Sequence, residues 1–186
     1  NVSGTSDLAP LDQQAAMIQE WCPEAKTVGL LYCSGEPNSQ YQVDTVQEHL
    51  EELGYTCTQY AFSDSNDMAA VTQTAADNSD VIYVPTDNTV ASNASIVDNI
   101  CRPAKIPVFA GEQGICKGCG VATLSISYYD LGVTTGEMAV KVLRGEADIS
   151  QMPIEYAPQF TKMYNQDICD DLGLTPPEGY TALDAE

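Results

Sequence analysis

Positive charge is the scarcest commodity in this sequence. Seven Lys and Arg stand against 27 Asp and Glu, a formal net charge of −20. Binding nucleic acid requires cationic side chains that neutralise phosphates, so nucleic acid is excluded as a partner, and anionic membrane surfaces are disfavoured for the same reason. Histidine is nearly absent. The single one, His49, lies beside Leu50 in a stretch of helical period and away from any strand end, so it reads as a surface residue and not as a base. Long apolar runs are missing too, and nothing approaches the roughly 20 residues of a membrane helix. No G-x-x-x-x-G-K-[ST], G-x-G-x-x-G, H-E-x-x-H or G-x-S-x-G motif occurs. A phospho-acceptor receiver is excluded because no acidic pair follows the first strand and no Lys follows the fifth. With no nucleophile, no tuned base and no implied cofactor, the chain reads as a non-enzyme.

Cysteine is present, seven times, at 22, 33, 57, 101, 116, 119 and 169. An odd number leaves at least one thiol free or paired between chains. Cys33, inside an apolar strand, reads as a small buried hydrophobe, as Cys57 does. Cys116-Lys-Gly-Cys119 lacks the second pair that a structural zinc needs, although Cys101 is available as a third sulfur. It falls in a Gly-rich loop before a strand and not at a helix start, which argues against a thioredoxin-type redox pair. A local disulfide, inert thiols and a bridge to another cysteine all remain open, and no metal site is assigned.

What is abundant is alternation of strand and helix. With 186 residues and 44% hydrophobic content, one domain or slightly more is expected, with a core that needs no staple. Leu8, Leu11, Ala15, Ile18 and Cys22 mark a first helix capped by Asp7. Strands follow at 27–33, 55–62 (nearer the sheet edge), 80–85, 106–110 and 121–127. Between them, helices are marked by Val43, Val46, Leu50 and Leu53, then by Met68, Val71 and Ala75 behind Asp64 or Asp67, then over 88–101 by Ala91, Ala94 and Val97. A Gly/Cys loop precedes the fifth strand. A long helix over 128–144 carries Leu131, Thr135, Met138 and Val142, 153–164 is extended, and a short helix over 165–172 precedes a Pro/Gly tail. Repeated β-α alternation predicts a three-layer α/β/α fold with a mostly parallel central sheet.

In such sheets ligands bind beyond the carboxyl ends of the strands. The loops expected there read Ser34-Gly-Glu-Pro-Asn-Ser39, Thr86-Asp-Asn-Thr89 and Gly111-Glu-Gln-Gly114. Asn38 or Ser39, and Asp87 or Asn88, are natural N-caps. Helix N-termini suit a carboxylate, and Asp87, Glu112 and Glu36 suit an ammonium, so together the loops describe a pocket for a zwitterion such as an amino acid.

The stretches Val28-Gly-Leu-Leu-Tyr-Cys-Ser-Gly-Glu-Pro-Asn-Ser39, Ile82-Tyr-Val-Pro-Thr-Asp-Asn-Thr-Val-Ala-Ser92, Lys105-Ile-Pro-Val-Phe-Ala-Gly-Glu112 and Ser127-Tyr-Tyr-Asp-Leu-Gly132 with Thr135-Gly-Glu-Met138 resemble, in order and spacing, ABC-transporter substrate-binding proteins of the TrpX-like family over residues 1–173. The resemblance implies a type I periplasmic-binding-protein fold, in which two α/β lobes close on a small solute, an aromatic amino acid in some members. It implies an extracytoplasmic, lipid-anchored protein serving a membrane permease. It further implies that most of a first lobe precedes Asn1. Residues 1–127 are then the C-terminal lobe core entered from a hinge at 1–7. The helix region 128–150 packs on the other lobe, 151–173 returns, and 174–186 is a tail. Without its partner lobe the helix exposes Leu131, Met138 and Val142, so dimerisation, helix swapping or collapse onto its own sheet is expected. The residues implied for the pocket are Ser34, Glu36, Asn38, Ser39, Thr86, Asp87, Asn88, Thr89, Gly111 and Glu112. Tyr128 and Tyr129 are added for stacking, or alternatively for packing on the hinge. Ser127 stands where relatives often carry Asp. Alternatives are the small-molecule-sensing half of a transcriptional regulator and a flavodoxin-like enzyme.

Overall fold

The computed structural model describes residues 2–157 and 159–183. The expected entry at Asn1 and the last three residues of the expected tail lie outside them. Nine strands and eight helices follow one another along the described residues. They are β1 (Thr5–Ser6), α1 (Leu11–Trp21), β2 (Thr27–Cys33), α2 (Pro37–Glu52), β3 (Thr56–Phe62), α3 (Met68–Asp77), β4 (Val81–Val84), α4 (Asn88–Ser92), α5 (Ala94–Ala104), β5 (Val108–Ala110), α6 (Gln113–Cys119), β6 (Ala122–Ile126), α7 (Tyr128–Leu143), β7 (Glu155–Tyr156), β8 (Phe160–Tyr164), α8 (Gln166–Leu172) and β9 (Thr181–Ala182).

A seven-stranded sheet has the order β3-β2-β4-β5-β6-β8-β9, parallel except where β8 runs antiparallel to β6. Its central strands are continuous apolar runs because both faces are covered. Side chains alternate between the faces. Val28, Leu30, Tyr32, Tyr83 and Phe109 join α1 and α2 in one core, whereas Leu31, Cys33, Ile82, Val84 and Ala110 join α3, α5 and α6 in the other. β3 is an edge strand, largely exposed, as its weaker pattern suggests. A separate parallel pair, β1 with β7, carries α7.

The structure departs from expectation in several places. The Gly/Cys loop is the helix α6. Gly114 and Gly118 are poor helix formers and mask it, but Glu112 caps its first turn by accepting the N–H groups of Gly114 and Ile115. Gly118 has a packing reason, since a Cβ there would lie 2.5 Å from Ala94 Cβ. The helix expected over 88–101 breaks at Asn93 into α4 and α5, and Ala91 faces solvent. The caps of α1 and α2 are Pro10 and Glu36, not Asp7, Asn38 or Ser39. Pro37 with its fixed φ starts α2, which leaves Ser39 free to turn inward. Leu131 and Met138 are buried and not exposed, because Leu131 packs with Ile126 and Ala157 and Thr135 bonds Thr5 across β1. The large apolar residues α7 does present are Tyr128, Tyr129, Val133, Val140 and Leu143. The tail contributes β9, and Tyr180 stands edge-on to Trp21 at 5.1 Å.

All seven cysteines are thiols, five of them buried. Burial pushes Cys22, Cys57 and Cys169 up to about 11 and Cys101 up to about 12. It raises Cys116 and Cys119 further still. Such thiols are poor nucleophiles at neutral pH. Under native conditions at pH 8 an aromatic disulfide reagent should leave Cys33, Cys101, Cys116, Cys119 and Cys169 unmodified, and in denaturant all seven should titrate. A denatured count below seven would reveal disulfides.

Candidate functional site

β2, β4, β5 and β6 point the same way, so the loops that follow them gather at one edge of the sheet. They are fastened there by acids. Asp87 is only 1% exposed. Its Oδ2 accepts the Cys33 N–H and the Ser39 hydroxyl, each at 2.8 Å, and its Oδ1 accepts the Val90 N–H at 2.9 Å. One carboxylate thereby joins the end of β2, the first turn of α2 and the first turn of α4. Glu36 reaches across from the first loop, accepting from the backbone and side chain of Asn88 at 3.0 and 2.9 Å, and from those of Thr89 at 2.9 and 2.8 Å. Partial burial pushes its pKa up, but these four donors outweigh that and hold it below the ordinary glutamate range.

The remaining contacts close the rim. Asn38 donates to the Thr86 carbonyl at 2.8 Å, and buried Gln42 accepts the Thr86 N–H at 3.0 Å. Ser34 donates to the Phe62 carbonyl at 3.1 Å, anchoring the first loop to β3. Gly111 lies so close to the second loop that a Cβ would sit 2.7 Å from Pro85 C and Thr86 N. Gln14 of α1, wholly buried, donates to the Gly111 carbonyl, also at 3.1 Å. Ser127 caps α7 by accepting the Asp130 N–H, also at 3.1 Å. Tyr128, half-exposed, points its hydroxyl toward Asp7 at 3.5 Å, and Tyr129 is 80% exposed. Burial, then the carboxylates of Asp7 and Glu112, push Tyr128 up to about 12.

The three loops singled out in the sequence therefore form one rim, with Tyr128 at its border. The acids differ in what they have left to offer. A carboxylate has about four acceptor positions. Glu36 takes four donors, Asp87 takes three in a dry setting, and Glu112 takes two at a partly exposed position. The Asn88, Thr89 and Val90 N–H groups of α4 and the Gly114 and Ile115 N–H groups of α6 are already occupied by protein carboxylates. Two concavities lie away from the rim, one of about 320 Å³ beside Met138, Val142 and Met152, the other of about 410 Å³ beside Trp21 and Leu174. Sequence reasoning missed Gln14 and Gln42. Each is a polar residue in register with the apolar stripe of its helix, and that was the available signal.

Asp87→Ala should cost about 3 kcal/mol, because it strands buried backbone N–H groups worth about 1–3 kcal/mol apiece. Chemical denaturation measures it. For Glu36 the folded pKa is depressed, so its contribution is present above the unfolded value and is lost as pH falls through the folded one. The stability gap between the parent and Glu36→Gln should accordingly be open at pH 7 and close in strong acid.

The chain matches the sequence profile of the family described as ABC transporter substrate binding protein over residues 1–185. It is 32% identical over 174 residues to a tyrosine-binding protein of Clostridioides difficile strain R20291, covering 94% of this chain and 50% of that relative. Among solved structures, a Streptococcus pneumonia ABC domain in complex with L-Trp is 33% identical with a TM-score of 0.89, over 98% of this chain and 64% of that one. A ligand-free, open substrate-binding protein with adhesive properties from Clostridium difficile is 36% identical with a TM-score of 0.80, over 100% and 63%. The chain thus spans half the length of the curated relative and under two thirds of the solved ones. These matches bear out the expected α/β architecture of the type I periplasmic-binding-protein kind. On its fold and on these matches, the chain belongs to the ABC transporter substrate-binding protein family.

Proposed function

We propose that this chain is the C-terminal lobe of a two-lobed protein that captures an amino acid, of the aromatic class, for an ABC importer. Residues 1–127 form the lobe core, 128–150 pack on the second lobe, and 151–173 return from it. The observation that carries the reading is the fastened rim with one carboxylate, Glu112, still able to accept. The solute's ammonium pairs with Glu112. Tyr128 flanks it on the side of Asp7, where the ring offers a stacking face. Because protein acids occupy the α4 and α6 starts, the solute's carboxylate is held by the opposing lobe. Asp87 and Glu36 keep the rim in shape, and Ser34, Asn38 and Thr86 border it. The tyrosine-binding relative and the neighbour in complex with L-Trp support the aromatic class. The protein acts outside the cytoplasm, lipid-anchored beside its permease. Among the described residues no helix is long and apolar enough to cross a membrane.

Such a site is completed only when the two lobes close around the solute. Calorimetry should therefore show L-Tyr or L-Trp binding to the two-lobed protein and none that is tight to this 186-residue chain alone. Glu112→Gln should weaken that binding about tenfold, near 1.4 kcal/mol. Tight binding by the isolated chain, or an unaffected Glu112→Gln, refutes the assignment. The exposed stripe of Tyr129, Val133, Val140 and Leu143 should make the isolated chain self-associate, and Leu143→Glu should restore a monomer in light scattering.

A further inference from the structure

β5 and β6 pair only at Phe109 with Ala122 and at Ala110 with Thr123. Beyond that register they part. β5 turns into the third rim loop, which carries Gly111 and Glu112, while β6 continues beside β8. Gln14 bridges the parting. Its single amide nitrogen donates to the carbonyl of Gly111 and to the carbonyl of Leu124, each at 3.1 Å. Its amide oxygen accepts the hydroxyl of Tyr83, from the middle of β4, at 2.6 Å. Gln14, Tyr83 and Gly111 are all buried, Gln14 and Tyr83 wholly so. The phenol can satisfy its proton only on the oxygen end of the amide, which orients the nitrogen end toward the two carbonyls. Every hydrogen-bonding position of the amide that matters here is used, and three neighbouring strands are tied to α1 at one atom group.

That tie stands one residue before Glu112, at the glycine whose absent Cβ lets the third loop rest on Pro85 and Thr86. Close packing transmits a displacement of Gly111 directly to Glu112 and to the second loop. We propose that Gln14 is a positioning residue of the solute site. It touches no solute, but it sets where Glu112 stands relative to Thr86 by fixing the distance at which β5 and β6 diverge. The link to binding rests on the solute reading above; the hold on the loop does not.

The test compares Gln14→Met, which keeps the volume and removes both ends of the amide, with Tyr83→Phe, which keeps the amide and removes its orienting partner. Leu50→Ala, in the buried face of α2 and more than two turns beyond Gln42, serves as a control for general loss of stability. Amide exchange and calorimetry with L-Tyr and L-Trp are measured on the full-length protein. Gln14→Met should accelerate exchange selectively over 111–116 and weaken amino-acid binding about tenfold, since a site about 1 Å too loose loses its grip. Tyr83→Phe should do both to a smaller degree, and it decides the matter if Gln14→Met fails to fold. Leu50→Ala should do neither. Exchange that rises evenly over α2 and the rim overturns the positioning role, and so does unaltered affinity in the two rim variants. If the unsubstituted protein binds neither amino acid, the solute reading falls, and the exchange pattern alone decides whether Gln14 holds the loop.

Discussion

A carboxylate that is almost wholly removed from water constrains everything around it. Asp87 survives burial only because a backbone N–H, a hydroxyl and a second backbone N–H surround it. Those three donors belong to the end of β2, the first turn of α2 and the first turn of α4. None can move without costing the buried carboxylate a donor, so the three elements are held as a unit. Glu36 repeats the device nearer to solvent, from loop to helix start. The geometry of the rim is thus a consequence of where acids find N–H groups, and a chain with 27 acids has them to place.

This arrangement changes the chemistry that the rim can offer. Helix starts rich in N–H groups are anion sites in principle, but here the protein supplies the anions itself. What remains for a guest is acceptor capacity, concentrated at Glu112, together with the ring of Tyr128. On the proposed reading a cationic group is therefore the natural partner of this rim. The wider acidity of the surface acts in the same direction, favouring approach of positive groups and discouraging polyanions.

The Cys116 and Cys119 pair shows how far spacing alone can mislead. The spacing of two intervening residues suggests redox or metal chemistry. Placed on α6 it becomes one turn of the inward face of a helix, with Ile115 beside it, and burial holds the thiols protonated. Among the described residues no three His, Cys, Asp or Glu side chains are disposed to hold a metal ion.

Much of this was legible before any fold was drawn. Apolar runs of strand length separated by helical periods determined a parallel sheet covered on both faces, because only doubly buried strands read that way, and the polar loops at their ends marked the rim. Local composition did not reveal α6, whose glycines argue against a helix until Glu112 is seen to cap it. Nor did it reveal that Ser39 turns inward behind Pro37, or that the two helices after β4 part at Asn93. The sequence named Asp87, Glu36 and Glu112 as equals. Tertiary structure alone ranked them, since the number of donors each meets depends on which helix starts the sheet brings alongside. Gln14 is the clearest case of this division. Its place in the apolar stripe of α1 is written in the sequence, but the carbonyls it bridges lie about a hundred residues away, and only the parting of β5 from β6 brings them within reach.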